Sequence, residues 1–141
     1  MSIRKIVGTC MLTLVTVTGL AVSPAHAAGY YHIGYTADWY WDGYRGGSVE
    51  FWTYGDEVCV TDRDADNHGV RVYVFDADYS PDKYLYKLGI GGEGRFRCVA
   101  ASYGGVYNLP EHHTIRFKIC LVRSDGTLTA CNNYHWRNLN S

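Results

Sequence analysis

Apolar and polar residues alternate with a period of two along much of the chain. The clearest run is residues 115–122, IRFKICLV, in which every second position carries a large aliphatic or aromatic side chain. Residues 70–75, VRVYVF, place three valines on one face in the same way. This period is typical of a β-strand that buries one face, whereas no segment after residue 27 sustains a helical period. The pattern predicts an all-β fold.

Seven strands separated by glycine-rich or polar turns are expected from this pattern. They are residues 49–54, 57–61, 70–75, 84–90, 95–100, 114–123 and 128–136. In the second strand Val58 and Val60 share one face and Cys59 takes the other. Residues 91–94, GGEG, are expected to form a flexible hairpin turn between the fourth and fifth strands. Short strands at roughly ten-residue spacing predict a small antiparallel β-sandwich, or a partly open barrel, over residues 49–141.

The last two strands predict a disulfide. Asp125 and Gly126 are the residue pair that a two-residue type I′ turn favours, because both of its positions take positive φ. Counting outward from that turn places Cys120 directly opposite Cys131. Directly opposed residues are about 5.5 Å apart at Cα when hydrogen-bonded, which a disulfide can bridge. Two buried free thiols are the alternative, and the export signal described next favours the oxidised pair.

Residues 1–27 have the pattern of a secretory signal peptide. Arg4 and Lys5 precede a mostly apolar segment, residues 6–22, and the sequence SPAHA then ends in the small-x-small pattern of a cleavage site after Ala27. A transmembrane anchor is the alternative, but threonines interrupt the apolar segment, which is also short for a membrane span. We therefore expect a secreted, extracellular protein without a membrane anchor.

Cleavage would change both the charge and the cysteine count. Removing 27 of the 141 residues leaves 114, with 11 basic residues against 14 acidic ones and a formal charge of −3. A mildly acidic surface argues against nucleic acid as a partner. Cys10 is lost with the signal, so pairing Cys120 with Cys131 leaves Cys59 and Cys98 as the second predicted bridge.

Residues 28–48 are expected to form an aromatic-rich N-terminal arm. Its aromatic residues are Tyr30, Tyr31, Tyr35, Trp39, Tyr40, Trp41 and Tyr44. Because tyrosine and tryptophan supply flat, amphipathic contact area, we predict that these residues bind a partner, with Trp39 and Trp41 as the main anchors. The alternative is that they cover the end of the domain's own core.

Residues 62–69, DRDADNHG, hold the densest set of oxygen ligands. Asp62, Asp64 and Asp66 at alternate positions could direct three carboxylates at one hard cation such as calcium. An EF-hand loop has glycine at its sixth position and glutamate at its twelfth, where Asn67 and Tyr73 stand here. A solvated polar turn explains the segment equally well, and we predict no metal or cofactor.

No sequence motif supports an enzyme. The histidines beyond residue 27 lack zinc-site spacing, there is no GxSxG motif, and both cysteine pairs are predicted to be oxidised. Glu111, His112 and His113 are the best candidates for acid–base chemistry, but a polar loop ahead of the strand at Thr114 is the favoured interpretation. We therefore expect a protein that is not an enzyme.

Several basic residues are expected on outward positions of strands. They are Arg95, Arg97, Arg116, Lys118 and Arg123. Neighbouring strands could join them into one basic face. Such alternation is usually the solvated side of an antiparallel sheet, and that is the favoured interpretation.

Three segments of the chain resemble a pattern in small secreted actinobacterial disulfide-bonded β-domain proteins. They are GDEVCVTD at residues 55–62, ADNHGV at residues 65–70, and FKIC at residues 117–120 ahead of Cys131. The resemblance covers about residues 49–136 and implies the fold more than a role.

Within that set, the size, export signal, acidic β-domain and aromatic arm resemble the adaptor subunit of umbrella toxin particles. This resemblance implies a non-enzymatic protein–protein interaction domain in an extracellular antibacterial toxin complex. Its partners would be other secreted proteins, namely a lectin subunit and a large repeat toxin. A carbohydrate-binding module and a small secreted enzyme inhibitor are the alternatives.

Overall fold

Two four-stranded antiparallel sheets form the fold in the computed structural model, which describes residues 29–37 and 45–139. The strands in those residues are β1 (Tyr31–Tyr35), β2 (Gly47–Trp52), β3 (Glu57–Asp62), β4 (Gly69–Asp76), β5 (Lys83–Gly91), β6 (Phe96–Val99), β7 (Thr114–Val122) and β8 (Leu128–Arg137). Sheet I has the order β1-β2-β3-β6 and sheet II the order β5-β4-β7-β8. The predicted antiparallel β-sandwich is confirmed. No helix in the described residues is long and apolar enough to cross a membrane.

Alternate residues of facing strands fill the core between the sheets. In β4 Val70, Val72 and Val74 are buried and the residues between them are partly exposed. Phe51 of β2 meets Phe117 of β7 across the two sheets, with ring centroids 5.1 Å apart. Because burying one such side chain stabilises the fold by about 1.5–3 kcal/mol, this alternation supplies most of the driving force for folding. The face assignments predicted for residues 70–75 and 115–122 are confirmed.

β1 is an edge strand that the sequence pattern did not indicate. It pairs with β2 from Tyr31 opposite Trp52 to Tyr35 opposite Ser48. The hydroxyl of Tyr134 in β8 accepts the backbone N–H of Tyr35 (2.8 Å) and donates to its carbonyl (2.9 Å), which joins the two sheets at one corner. Residues 29–37 of the predicted arm are therefore part of the sandwich. The predicted signal peptide and residues 38–44 lie outside the described residues.

The turn between β7 and β8 has three residues instead of two. The backbone N–H of Arg123 donates to the carbonyl of Thr127 (3.0 Å), and that of Gly126 donates to Arg123 (2.9 Å). Within residues 124–126 only Gly126 has a positive φ, at 86°. The predicted type I′ turn is wrong, because Asp125 does not take the left-handed conformation that such a turn needs at both positions.

A bulge in β8 restores the register that the longer turn displaces. Ala130 has φ 47°, and the pairing shifts between Ile119 and Leu121. The two displacements of one residue cancel, so Cys120 still forms a disulfide with Cys131. The predicted disulfide is confirmed although the turn argument behind it is not.

Residues 91–94 connect the two sheets and do not form a hairpin. β5 ends in sheet II, whereas β6 pairs with β3 in sheet I. Gly92 and Gly94 have φ 106° and 71°, which glycine adopts without strain, and they let the chain cross between sheets. The predicted hairpin is wrong. Because β6 pairs with β3, Cys98 lies opposite Cys59, and the predicted second disulfide is confirmed.

Candidate interaction surface

Large apolar and aromatic side chains gather on the outer face of sheet I. We call Tyr31, Ile33, Trp52 and Tyr54 the aromatic face. Tyr31 is 50% exposed, Ile33 37% and Tyr54 65%. The rings of Tyr31 and Trp52 lie against each other, with centroids 4.9 Å apart. These neighbouring side chains form a surface that the fold itself does not cover.

Strand register explains why these residues point outward. Val49 and Phe51 of β2 are fully buried in the core, so the alternate residue Trp52 faces away from it. Directly paired residues lie on the same face of a sheet. Because Tyr31 pairs with Trp52 and Ile33 pairs with Glu50, Tyr31 and Ile33 of β1 also face away from the core. The Tyr31 hydroxyl donates to Glu50 Oε2 at 3.3 Å. Burial and the negative charge of Glu50 both raise the pKa of Tyr31.

A shallow cleft of about 430 Å³ lies beside the aromatic face. Gly29, Trp52, Tyr54 and Glu57 line it. A Cβ added to Gly29 would stand 2.5 Å from the Cβ of Tyr54, so only glycine allows this close approach. The cleft therefore combines two exposed or half-exposed rings with one carboxylate.

The edge of β1 carries backbone groups that no strand of the described residues pairs. In an antiparallel ladder, alternate residues direct their N–H and C=O to opposite sides. The backbone groups of Tyr35 point away from β2, toward Tyr134 of β8. Those of Tyr31 and Ile33 point the same way, where the described residues provide no partner strand. Within residues 29–37 and 45–139, sheet I thus has an open edge directly beside the aromatic face.

The structure separates the predicted aromatic binding residues into three groups. Tyr30 and Tyr31 are exposed, at 55% and 50%. Tyr35 is half-buried, with the guanidinium groups of Arg45 and Arg63 5.5 Å and 5.2 Å from its ring centroid. The remaining predicted residues lie outside the described residues: Trp39, Tyr40, Trp41 and Tyr44.

Sequence reasoning did not single out Trp52, Tyr54 or Ile33. For Trp52 a signal was present, because Val49 and Phe51 are apolar at alternate positions and leave Trp52 on the opposite face. For Ile33 and Tyr54 there was no such signal, since β1 does not alternate and Tyr54 lies in the 3₁₀ turn Tyr54–Asp56.

The three aspartates of residues 62–66 do not converge on one point. Asp62 is buried, and its carboxylate accepts the backbone N–H of Gly92 (2.7 Å). Asp66 accepts the backbone N–H of His68 (2.8 Å).

Over residues 29–37 and 45–139, one group of three potential ligand atoms lies within 4.8 Å of one another. It consists of Glu57, Cys59 and Cys98, and both of its cysteines are used in a disulfide. The described residues therefore gather no set of free metal ligands.

The candidate acid–base residues belong to a loop that a buried carboxylate holds. His113 Nδ1 lies 2.9 Å from Oδ2 of the buried Asp76 and 3.9 Å from Oδ2 of Asp78. The backbone N–H of Thr114 also donates to Asp78 (3.1 Å). Glu111 and His112 are exposed on the same loop. Asp76 therefore orients the imidazole of His113, and Asp78 fixes the end of the loop. No hydroxyl or thiol of a described residue is hydrogen-bonded to the His113 ring.

Comparison with known proteins adds information on the fold alone. No protein-family model and no curated protein matches the chain. It is similar to a solved structure titled as an endonuclease/exonuclease/phosphatase from Beutenbergia cavernae DSM 12333, with a TM-score of 0.51 and 17% sequence identity. The match covers 78% of this chain but only 28% of that one. At this identity the likeness concerns the β-architecture and carries no activity to this chain.

Proposed function

We propose that this chain is a secreted, non-enzymatic interaction domain that binds a partner protein through the aromatic face and the open edge of β1. One observation carries the proposal: Tyr31 and Ile33 contribute both exposed side chains and unpaired backbone groups to the same surface. A partner strand added to β1 would gain main-chain hydrogen bonds, and the side chains would supply specificity.

Energetic considerations favour this surface over the rest of the exterior. Tyrosine and tryptophan are enriched at interfaces because they bury large areas with few rotatable bonds. Long, flat, unprotected edges promote aggregation, so an open edge beside apolar side chains is best explained by a partner that covers it. Trp39 and Trp41, in the segment between β1 and β2, extend the set of candidate anchors in the sequence.

More specifically, we propose that the chain is an adaptor subunit of an extracellular antibacterial toxin complex, because it resembles the adaptor of umbrella toxin particles. Its expected partners are then a lectin subunit and a large repeat toxin. An adaptor must hold two proteins at once, so this form predicts two partners recovered together and in fixed proportion.

Affinity capture from culture supernatant of the native host, with the tagged chain as bait, tests the proposal. We expect one or more larger secreted proteins at a fixed ratio with the unmodified chain. The variant Tyr31→Ser/Trp52→Ser should lose them, with an unchanged far-ultraviolet circular dichroism spectrum. Tyr84→Ser is the matched control, because Tyr84 is 51% exposed but lies in β5 of sheet II. Equal recovery by all variants, or recovery of the bait alone, would overturn the proposal.

A carbohydrate is the second candidate ligand, favoured by the cleft between Trp52, Tyr54 and Glu57. Aromatic rings stack on the apolar faces of sugars, and a carboxylate accepts hydroxyl hydrogen bonds. This candidate predicts that soluble glycans change tryptophan fluorescence in a saturable way and that Tyr54→Ser abolishes the change. A flat titration with the unmodified chain would exclude it.

A further inference from the structure

A groove of about 650 Å³ along β4 and β5 concentrates positive charge. The basic side chains that line it are Arg71, Lys87, Arg95, Arg97 and Arg123. We call this surface the basic groove. Neither a carboxylate nor an aromatic ring is found among its described lining residues. Five of the 13 lysines and arginines thus occupy one surface of a chain whose formal net charge is −1.

Glycines shape the floor of the basic groove. Arg71 of β4 lies directly opposite Gly89 of β5. The Arg71 side chain lies next to Gly89: a Cβ built on Gly89 would stand 3.9 Å from Arg71 Nε, an ordinary van der Waals contact. Arg71 Nη1 donates to the hydroxyl of Tyr73 at 3.4 Å. Arg95 Nη1 likewise donates to the carbonyl of Gly91 at 3.4 Å. These two hydrogen bonds therefore orient the guanidinium groups of Arg71 and Arg95.

Arg97 reaches the basic groove from an unexpected side of its strand. It lies opposite Val60, which is fully buried, so both residues are on the core-facing side of sheet I. β6 is the edge strand of that sheet, and Arg97 is nevertheless exposed. The predicted outward position of Arg97 is wrong, because the edge of the sandwich leaves an inward-facing side chain a path to solvent. Arg97 thereby joins charges from sheet II.

Two carboxylates close to the basic groove are hydrogen-bonded to backbone N–H groups, while Glu93 lies in the exposed segment between Gly91 and Arg95. Asp62 accepts the N–H of Gly92. Asp125 accepts the N–H of Thr127 at 2.8 Å, and this bond, more than the neighbouring Arg123, lowers the pKa of Asp125. Arg116, His68 and His113 form ion pairs with aspartates elsewhere in the described residues, on side chains that do not line the basic groove. Concentrating five cations on one surface is unfavourable, and an anionic ligand would offset their mutual repulsion.

We propose that the basic groove binds a linear phosphate polymer. Four of its five cations are arginines, whose planar guanidinium groups match phosphate oxygens with two parallel hydrogen bonds. Among the described residues, those that line the groove include no aromatic ring for nucleobases or sugar rings to stack on, so the lining fits a polymer recognised through its phosphates. Acidic peptides are less well matched, because peptide recognition uses pockets for alternate side chains and here glycines and arginines form the surface.

Isothermal titration with inorganic tripolyphosphate at low salt tests this proposal on the full chain. We expect saturable binding that weakens as salt rises, because the attraction is screened. Arg71→Gln and Arg97→Gln come from different sheets, and each should weaken binding about tenfold, the effect of losing one charge-assisted contact. Arg137→Gln is the matched control, since Arg137 is an exposed arginine of β8 outside the basic groove and should bind like the unmodified chain.

Three results would overturn the proposal. One is the absence of saturable binding by the unmodified chain. Another is an equal loss of affinity in Arg137→Gln, which would mean that net charge and not the basic groove matters. The third is tighter binding of hexaglutamate than of tripolyphosphate, which would assign the groove to acidic peptides. Thermal unfolding of each variant shows whether it is folded, and Lys87→Gln replaces any variant that is not.

Discussion

Asp62 Oδ2 accepts the backbone N–H of Gly92 at 2.7 Å, although the two residues are 30 positions apart. Asp62 ends β3, and Gly92 lies in the segment that carries the chain from sheet II to sheet I. The backbone of Asp62 takes part as well: its N–H donates to Arg95 and its carbonyl accepts from Gly94, both at 2.9 Å. One residue thus holds the crossing segment from which Arg95 extends into the basic groove.

Replacing Asp62 with alanine should destabilise the fold by about 1 kcal/mol, because the crossing segment loses the hydrogen bond from the Gly92 N–H to the carboxylate of Asp62. Chemical denaturation measures the change in the free energy of unfolding. Asp64→Ala is the control, since Asp64 is a partly exposed neighbour whose backbone, not its side chain, bonds to Asp62. Equal stability of the two variants would contradict this account of the crossing segment.

Asp56 should make stability depend on pH in a direction opposite to that of most carboxylates. It is buried, and burial raises its pKa more than hydrogen bonds from Leu109 and Asn138 lower it. Because the folded pKa exceeds the unfolded value, the contribution of Asp56 is fully present at low pH and is lost as pH rises through the folded pKa.

The variant Asp56→Asn isolates this effect, because asparagine carries no charge and tolerates the φ of 53° found here. We expect the free energy of unfolding of the variant, relative to the unmodified chain, to increase as the pH rises above the ordinary carboxylate pKa and through the raised pKa of folded Asp56. Urea denaturation at a series of pH values measures it. Other buried acids contribute equally to both proteins, so they do not affect the difference between the two unfolding free energies. If that difference stays constant with pH, burial does not raise the pKa of Asp56.

Removal of the Cys59–Cys98 disulfide should cost more stability than removal of Cys120–Cys131. The bridges close segments with sequence separations of 39 and 11. On the chain-entropy model these closures are worth about 4 and about 3 kcal/mol. Paired cysteine-to-alanine variants, compared by denaturation under oxidising conditions, measure both values. The order would reverse if the packing of Cys120, which is fully buried, outweighs loop closure.

Gly34→Ala should destabilise the corner where β1 meets β8. A Cβ there would stand 2.5 Å from the ring of Tyr134, whose hydroxyl holds Tyr35. Displacing that ring should cost about 1–3 kcal/mol, as overpacking usually does. The matched control is Gly105→Ala, since Gly105 has open space around its Cβ position. Thermal melts of both variants test this, and a normal melting temperature for Gly34→Ala would mean that Tyr134 can move without loss.

Local patterns were sufficient for most of the fold because they report on a single strand or a single pair of strands. The valines of β4 and the alternation in β7 predicted which side chains enter the core, and the structure confirms them. β1 was missed because its sequence, YHIGY, does not alternate apolar with polar residue types, although burial does alternate along the strand. The pairing of Cys120 with Cys131 was predicted from a two-residue turn, whereas the actual turn has three residues. The bulge at Ala130 restores the register that the two-residue turn would have produced.

The candidate site was predicted in part, for a related reason. Aromatic crowding near the N-terminus drew attention to Tyr30 and Tyr31, which are exposed. Trp52 joins Tyr31 only through the pairing of β1 with β2. The basic residues were recognised as a possible common face, but Arg116 pairs with Asp82 elsewhere.

By itself, the amino-acid sequence determined the all-β class, the confirmed core faces and the cysteine pairs, because side-chain alternation and strand spacing are properties of neighbouring residues. Tertiary structure decided which strands share a sheet. It sent residues 91–94 across the sandwich instead of into a hairpin, brought Arg97 and Arg71 to the same groove, and laid Trp52 against Tyr31. The physical reason is that both surfaces are made by residues far apart in the chain, whose proximity follows from the packing of two sheets and leaves no mark in any local pattern.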